Sequence, residues 1–345
     1  MTNNVTNKEI KRIFDRFSRM NIMIIGDVMI DSYMWGKVDR ISPEAPIPVV
    51  SVINRENRLG GAANVALNIQ SLGGVPLLCS ITGNDAKKDV FMELLREKGM
   101  SGDGILIRDD RRTTLKTRII GSNQHLLRVD EESNEIIGKD AENQFIDKIR
   151  SLISQGKPDA IIFEDYDKGV LTPGVIREII STAGKMDIPV TADPKKRNFN
   201  RYRNVDLFKP NLKELAEGMK TELSKNNVEG ITIAARKIQE SLNIRYLLVT
   251  LSEMGIFLRH AGMSKLFPTE VLDVADVSGA GDTVISVATA CLAAGADPET
   301  MAIISNLAGG LVCGKVGVVP VHRGQLHEET VKLFRRNPKQ LSAKQ

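Results

Sequence analysis

The amino-acid sequence predicts an α/β fold, a three-layer sandwich on a mostly parallel central sheet with a small β lid. Three observations carry this expectation. Apolar, β-branched runs of strand length alternate with segments of helical spacing, the pattern of crossover-connected parallel strands buried on both faces. Two stretches, around residues 31–55 and 103–130, break that rhythm with prolines and polar–apolar alternation, as short lid strands do. A glycine turn at residues 279–281 runs directly into the small-residue stretch VISVATACLAAG, a passage suited to ligand binding beyond the C-terminal edge of a parallel sheet.

Taken in order, residues 21–30 (NIMIIGDVMI) read as a short buried first strand closed by Gly and Asp, whose C-terminal end carries function, with Asp31 at a strand edge or in a loop. Pro43, Pro46 and Pro48 punctuate the approach to IPVVSVI, too short and β-branched for a helix and read as a lid strand. Residues 60–72 have helical spacing after a double glycine, and residues 75–81 return to strand character. The segments GILIR, TLKTRII and HLLRVD are expected to form antiparallel strands of an edge sheet. Further parallel strands are expected at 160–164, 188–192, 205–208 and 246–250. The whole reads as one domain over residues 1–335 followed by a frayed tail at 336–345.

A chain of 345 residues with 42% hydrophobic and 26% charged content supplies a large core. Its 47 basic and 43 acidic residues leave a net charge of +4, too small and dispersed for a nucleic-acid footprint. Cys79, Cys291 and Cys313 stand far apart in apolar surroundings, without metal-ligand spacing, and are expected to be reduced core residues of a cytoplasmic protein. The N-terminus is polar and amphipathic rather than an export signal, and the apolar window 301–321 is interrupted by Asn306, Lys315 and glycines, so no membrane association is expected.

Residues 276–283, DVSGAGDT, carry the most chemistry. Gly279, Ala280 and Gly281 allow consecutive amides to face one concavity at a helix start, where a phosphoryl group fits. Asp282 sits at the mouth of that turn, where a carboxylate can take the proton of an attacking hydroxyl. For an isolated GAGD, a helix cap is the simpler reading. In RLGGAANVALNIQSLGG, Gly60 and Gly61 permit close backbone approach and Asn64 offers a donor and an acceptor to a sugar hydroxyl. In KPNLKE, Asn211 and Glu214 lie three residues apart on one side of a starting helix, as a capping box also places them. Asp165 and Lys168 in EDYDKG, and Asp193 and Lys195 in ADPKKRN, follow strands and open toward the same edge.

DVSGAGDT and the GGAANVA segment, in this order, resemble the two signatures of the ribokinase-like (PfkB) carbohydrate kinases. The resemblance covers about residues 20–325. It implies that Asp282 is the catalytic base, that ATP and Mg²⁺ take part, and that Asn211 and Glu214 organise the magnesium, largely through water. It also implies that Thr250, Ser252, Glu253 and Gly255 of VTLSEMGI lie near the nucleotide, with Asn306 of SNLAGG near the adenine. A monovalent cation such as K⁺ near Asp276 and Ser278 is implied in the same way, as is a homodimer paired through lid strands such as residues 47–53.

VMIDSYMWGKVDRISPEAPIPVV and QHLLRVDEE resemble the heptose 7-phosphate kinase branch of that family. The reaction expected from it is phosphorylation of the C1 hydroxyl of D-glycero-D-manno-heptose 7-phosphate, a precursor step for lipopolysaccharide. Asp31, Gly60, Gly61 and Asn64 would hold the sugar, and Lys168, Lys195, Lys196 or Arg197 its phosphate. Two departures stand out. Glu164 occupies a position where a small residue is expected, and no HxGH-type nucleotidyltransferase motif follows the kinase signatures, so this chain alone is not expected to make the ADP-sugar. A PfkB kinase for another sugar, or a non-catalytic sugar or nucleotide sensor, remains as an alternative.

Overall fold

A computed structural model describes residues 6–121, 124–269, 276–315 and 317–336. Helix α1 (Asn7–Phe17) opens with a Thr6–Glu9 capping box and buries Ile10, Ile13, Phe14 and Phe17 along one stripe. Strand β1 (Asn21–Gly26) follows, then β2 (Val28–Ile41), β3 (Pro48–Gly61), α2 (Ala62–Ser71), β4 (Val75–Gly83), α3 (Ala86–Glu97), β5 (Ile105–Arg108), β6 (Thr114–Gly121) and β7 (Gln124–Glu131). The chain continues through α4 (Lys139–Gln155), β8 (Ala160–Glu164), α5 (Pro173–Lys185), β9 (Val190–Asp193), β10 (Leu207–Phe208), α6 (Leu212–Met219) and α7 (Val228–Leu242). It ends with β11 (Tyr246–Thr250), β12 (Ile256–His260), β13 (Met263–Phe267), α8 (Ala280–Ala293), α9 (Pro298–Cys313) and α10 (Arg323–Arg336).

Among the described residues, nine strands form one sheet in the order β13-β12-β11-β10-β9-β8-β1-β4-β5. The seven from β11 to β5 run parallel, and β12 and β13 complete the far edge as an antiparallel hairpin. Period-two alternation divides the core into two layers. Ile22 and Ile24 of β1 pack with α1, α2, α8 and α9 on one face. Met23 and Ile25 pack with α4, α5 and α7 on the other. This is the three-layer sandwich.

A second, four-stranded sheet has the order β3-β2-β6-β7 and stands off the C-terminal edge of the first. Its long β2–β3 hairpin grows directly from β1 and returns into α2. GILIR departs from the expectation of an antiparallel edge sheet: it is β5, paired in parallel with β4 at the edge of the main sheet. A short edge strand exposed on one side shows the same alternation in either setting. Cys79 and Cys291 are buried and Cys313 is partly exposed, all three as free thiols. No helix among the described residues is long and apolar enough to cross a membrane. Arg336 ends α10, and residues 337–345 of the expected tail lie outside the described residues.

Candidate active site

The first turn of α8 meets the start of α2 above the C-terminal ends of β1, β8 and β9. Gly279 is the N-cap of α8 with φ 78°, a left-handed conformation that favours glycine and turns the chain into the helix. Asp282 is therefore the third residue of the helix, with its carboxylate near the positive end of the dipole. It is only 6% exposed. Asn64 Nδ2 donates to its Oδ2 at 2.6 Å, and the Tyr166 hydroxyl donates to its Oδ1 at 2.7 Å. Burial raises its pKa to about 6 against the opposing effect of those two hydrogen bonds. A carboxylate tuned in this way is a base at neutral pH with appreciable proton affinity.

Of the three amides of the turn, that of Ala280 donates to the Val277 carbonyl at 3.3 Å, a long bond within the turn. Gly281 faces a buried ion pair: a methyl group on it would lie 3.6 Å from Lys209 Nζ and 3.8 Å from Asp193 Oδ2. Lys209 is 2% exposed, and its ammonium lies 2.7 Å from Asp193. Burial works against the charge of Lys209, but Asp193 and Glu214 outweigh it and raise its pKa. Glu164, at the end of β8, is buried with neither carboxyl oxygen hydrogen-bonded. Burial, then Asp193 and Asp282, hold it well above the usual carboxylate range.

Asp27, the single residue between β1 and β2, ties this edge together. Its carboxylate accepts the amides of Tyr166 (2.9 Å), Lys168 (3.1 Å) and Val170 (3.2 Å), and its carbonyl accepts the Ala62 amide at 2.9 Å. Gly61, with φ 61°, lets the chain pass that carbonyl into α2, since a Cβ there would overlap it. Gly60 makes room for the Asp31 carboxylate in the same way. Asp31 itself is ion-paired with Arg118 of β6.

Asn211 and Glu214 form the capping box of α6, with reciprocal bonds of 2.8 Å. The other oxygen of Glu214 accepts from Lys195. Among the described residues no three His, Cys, Asp or Glu side chains converge as a preformed metal cage. Magnesium takes one or two carboxylates and keeps most of its water, and Glu214 with Asp193 Oδ1, which accepts no hydrogen bond and lies 4.0 Å from Lys195 Nζ, fits that demand. Thr250 and Ser252 line a cleft of about 960 Å³ with Asn211, Lys213 and Lys220, beside α6.

Other residues singled out in the sequence are held elsewhere. Lys168 Nζ is bound by Glu132 (2.7 Å) and Asn134 (2.9 Å), and Arg197 lies 3.5 Å from Asp167. Glu253 is exposed and paired with Lys225. Gly255 packs its α-carbon against the Phe267 carbonyl. The Asn306 amide donates to the carbonyls of Phe267 (3.2 Å) and Pro268 (3.0 Å), tying α9 to the end of β13. Conversely, Tyr166 and Lys209 touch the centre of the site, and the sequence marks neither as a site residue although both lie inside chemistry-bearing motifs, EDYDKG and KPNLKE.

Comparison with known proteins bears on the family and the fold. Residues 19–322 match the pfkB family carbohydrate kinase profile. The bifunctional protein HldE of Pelobacter propionicus is 39% identical over 316 residues, covering 91% of this chain and 64% of that protein, so the chain spans less than two thirds of that relative. Phosphofructokinase-2 of Escherichia coli, solved in complex with potassium, superposes with a TM-score of 0.74 at 20% identity, covering 94% of this chain and all of that one. Ribokinase of Arabidopsis thaliana, complexed with ribose and ATP, gives 0.67 at 18% identity over 92% of this chain and 99% of the other. The match along nearly the whole described chain, with a buried Asp282 at the start of α8, shows that the chain belongs to the pfkB family of carbohydrate kinases.

Proposed function

We propose that the chain transfers the γ-phosphoryl group of ATP to the anomeric C1 hydroxyl of D-glycero-D-manno-heptose 7-phosphate, forming the 1,7-bisphosphate. The observation that carries the phosphotransfer is the Asp282 carboxylate, buried in the first turn of α8 and oriented by Asn64 and Tyr166. The choice of heptose rests on the likeness of the VMIDSYMWGKVDRISPEAPIPVV segment to heptose 7-phosphate kinases, and the similarity to bifunctional HldE proteins supports it.

In this reading Asp282 accepts the proton of the C1 hydroxyl as its oxygen attacks, while Tyr166 and Asn64 fix the carboxylate. Asn64 Oδ1, buried and without a hydrogen-bond partner, accepts from a sugar hydroxyl. The Gly281 amide and Lys209 offset the negative charge gathering on the transferred group. Glu214, Asn211 and Asp193 would hold Mg²⁺ through water, and the ion supplies positive charge against the nucleotide phosphates. A monovalent cation near Asp276 and Ser278 belongs to the same reading. So does a homodimer through the small sheet, where Ile41, Ile47, Val52, Ile53 and Leu127 are exposed. We place the reaction in the cytoplasm, where ATP is available.

The base must be unprotonated to act, so activity should fall as pH drops through about 6, the Asp282 value. Tyr166→Phe removes a hydrogen bond that favours the ionised form. Its acid limb in kcat/KM is expected to move up by about half to one pH unit. An unmoved limb would detach Tyr166 from the base.

The function itself is tested by ATP consumption with Mg²⁺ over heptose 7-phosphate, fructose 6-phosphate, fructose 1-phosphate, ribose and 2-keto-3-deoxygluconate. Selective turnover of heptose 7-phosphate with phosphate placed on C1 is expected. Preference for another member overturns the sugar and keeps the Asp282 chemistry. ATP binding without turnover of any of them overturns the kinase reading.

A further inference from the structure

The basic residues considered in the sequence for the sugar's own phosphate are engaged by acidic neighbours: Lys168 by Glu132, Lys195 by Glu214, Arg197 by Asp167 and Lys196 by Glu217 at 3.9 Å. A different basic cluster lies on the small sheet. On the small sheet, Asp31 and Tyr33 of β2 point to one side, with Arg58 of β3 across from Asp31 and Arg118 of β6 across from Tyr33. The Arg58 guanidinium lies 4.8 Å and that of Arg118 5.3 Å from the Tyr33 ring centroid. The Tyr33 hydroxyl is buried beside the Val318 backbone without a formed hydrogen bond.

This cluster is connected to Asp282 by contacts. Asn64, which holds Asp282, lies 3.0 Å from where a Gly279 methyl would be, and Val318 lies 3.1 Å from the same point. The adjacent Gly317 packs against the Arg58 guanidinium and lies within reach of the Tyr33 hydroxyl. Two cations and a phenol donor thus stand a few side chains from the base. A sugar phosphorylated at the end of its carbon chain opposite C1 needs such charge at a distance from the group that takes its C1 proton.

We propose that Arg58, Arg118 and Tyr33 form the subsite for the phosphate monoester carried by the sugar substrate, an inference that rests on reading the chain as a kinase of a phosphorylated sugar. Besides its place over the Tyr33 ring, Arg58 is bound by Glu56 at 2.6 and 3.1 Å, and that side chain is 43% exposed. A phosphate dianion offers more charge and three acceptor oxygens to the same fork, so it displaces Glu56. Arg118, anchored by Asp31, keeps its guanidinium over the ring and supplies the second cation.

The chain has one tryptophan, Trp35, and its ring is stacked on Tyr33 at 5.5 Å, so its emission reports occupancy of this cluster without turnover. The experiment measures kinetics with heptose 7-phosphate and Trp35 titration by the same sugar without ATP, in wild type, Arg58→Gln and Arg58→Lys. Arg58→Gln is expected to lower kcat/KM about 10- to 100-fold, mostly through KM, and to weaken the titration in parallel. Arg58→Lys restores part of both, which a merely structural arginine would not show. Unchanged KM and titration in Arg58→Gln overturn the subsite. If wild type does not turn over heptose 7-phosphate, the heptose reading alone fails. The subsite is then decided by Trp35 titration with fructose 6-phosphate: weakening in Arg58→Gln upholds it, and an equal response overturns it.

Discussion

Replacing Asp282 by Asn is expected to lower kcat by about 10²- to 10⁴-fold, the usual contribution of a positioned general base. ATP binding, followed by calorimetry, should stay within a few-fold. The substitution is nearly isosteric. Its amide oxygen still accepts from either Asn64 or Tyr166, so the fold loses at most one hydrogen bond, about 1 kcal/mol, and is spared the burial of a charge. Loss of turnover with ATP affinity retained assigns the defect to proton transfer. Turnover equal to wild type would remove Asp282 from the mechanism. The acid limb near pH 6 should disappear from any residual activity, because the group that titrates is gone.

Lys209→Met should be costly to the fold as well as to the rate. Its ammonium is the nearest cation to Asp193 in a region that also buries Glu164, and both carboxyls keep oxygens without hydrogen-bond partners. Removing one partner of a buried pair costs about 3–5 kcal/mol, a large share of the roughly 5–15 kcal/mol that holds a domain together. A melting temperature lower by roughly 4–7 °C is expected for a domain of this size. Glu164, already raised by burial and by Asp193 and Asp282, loses with the lysine a charge that lowers it, and so binds its proton still more tightly in the folded than in the unfolded chain. The folded form is then favoured at low pH and loses ground as pH rises through the raised value. The deficit should accordingly be smaller in melts at about pH 5 than at about pH 8. Turnover should fall about 10²-fold or more through loss of the charge beside Gly281. A variant melting within 2 °C of wild type at both pH values would show that the pair is not structurally needed.

The parallel strands were legible because burial on both faces demands uninterrupted β-branched runs, as in residues 21–26 and 160–164. The GAGD turn and the GGAANVA helix start were legible because their glycines answer to backbone geometry, at Gly279 and Gly61. What was not legible depends on strand order and register. Tyr166 reaches Asp282 only because β8 lies next to β1, and Lys209 reaches Gly281 only because β10 follows β9 in space. Nothing local to EDYDKG or KPNLKE encodes either meeting. Arg58 and Arg118 share a ring through cross-strand pairing between segments far apart in the chain. The NxxE spacing of Asn211 and Glu214 reads identically as cap and as ligand pair, and the structure forms the cap.

Asp27 has a mechanical consequence. Asp27 is the one-residue link from β1 into the small sheet, and its side chain carries the backbone of Tyr166 while its carbonyl carries the start of the helix bearing Asn64. The entry to the small sheet, the Tyr166 backbone and the start of α2 are thus fastened at one residue, so the placement of the sheet and the orientation of the Asp282 carboxylate are not set independently.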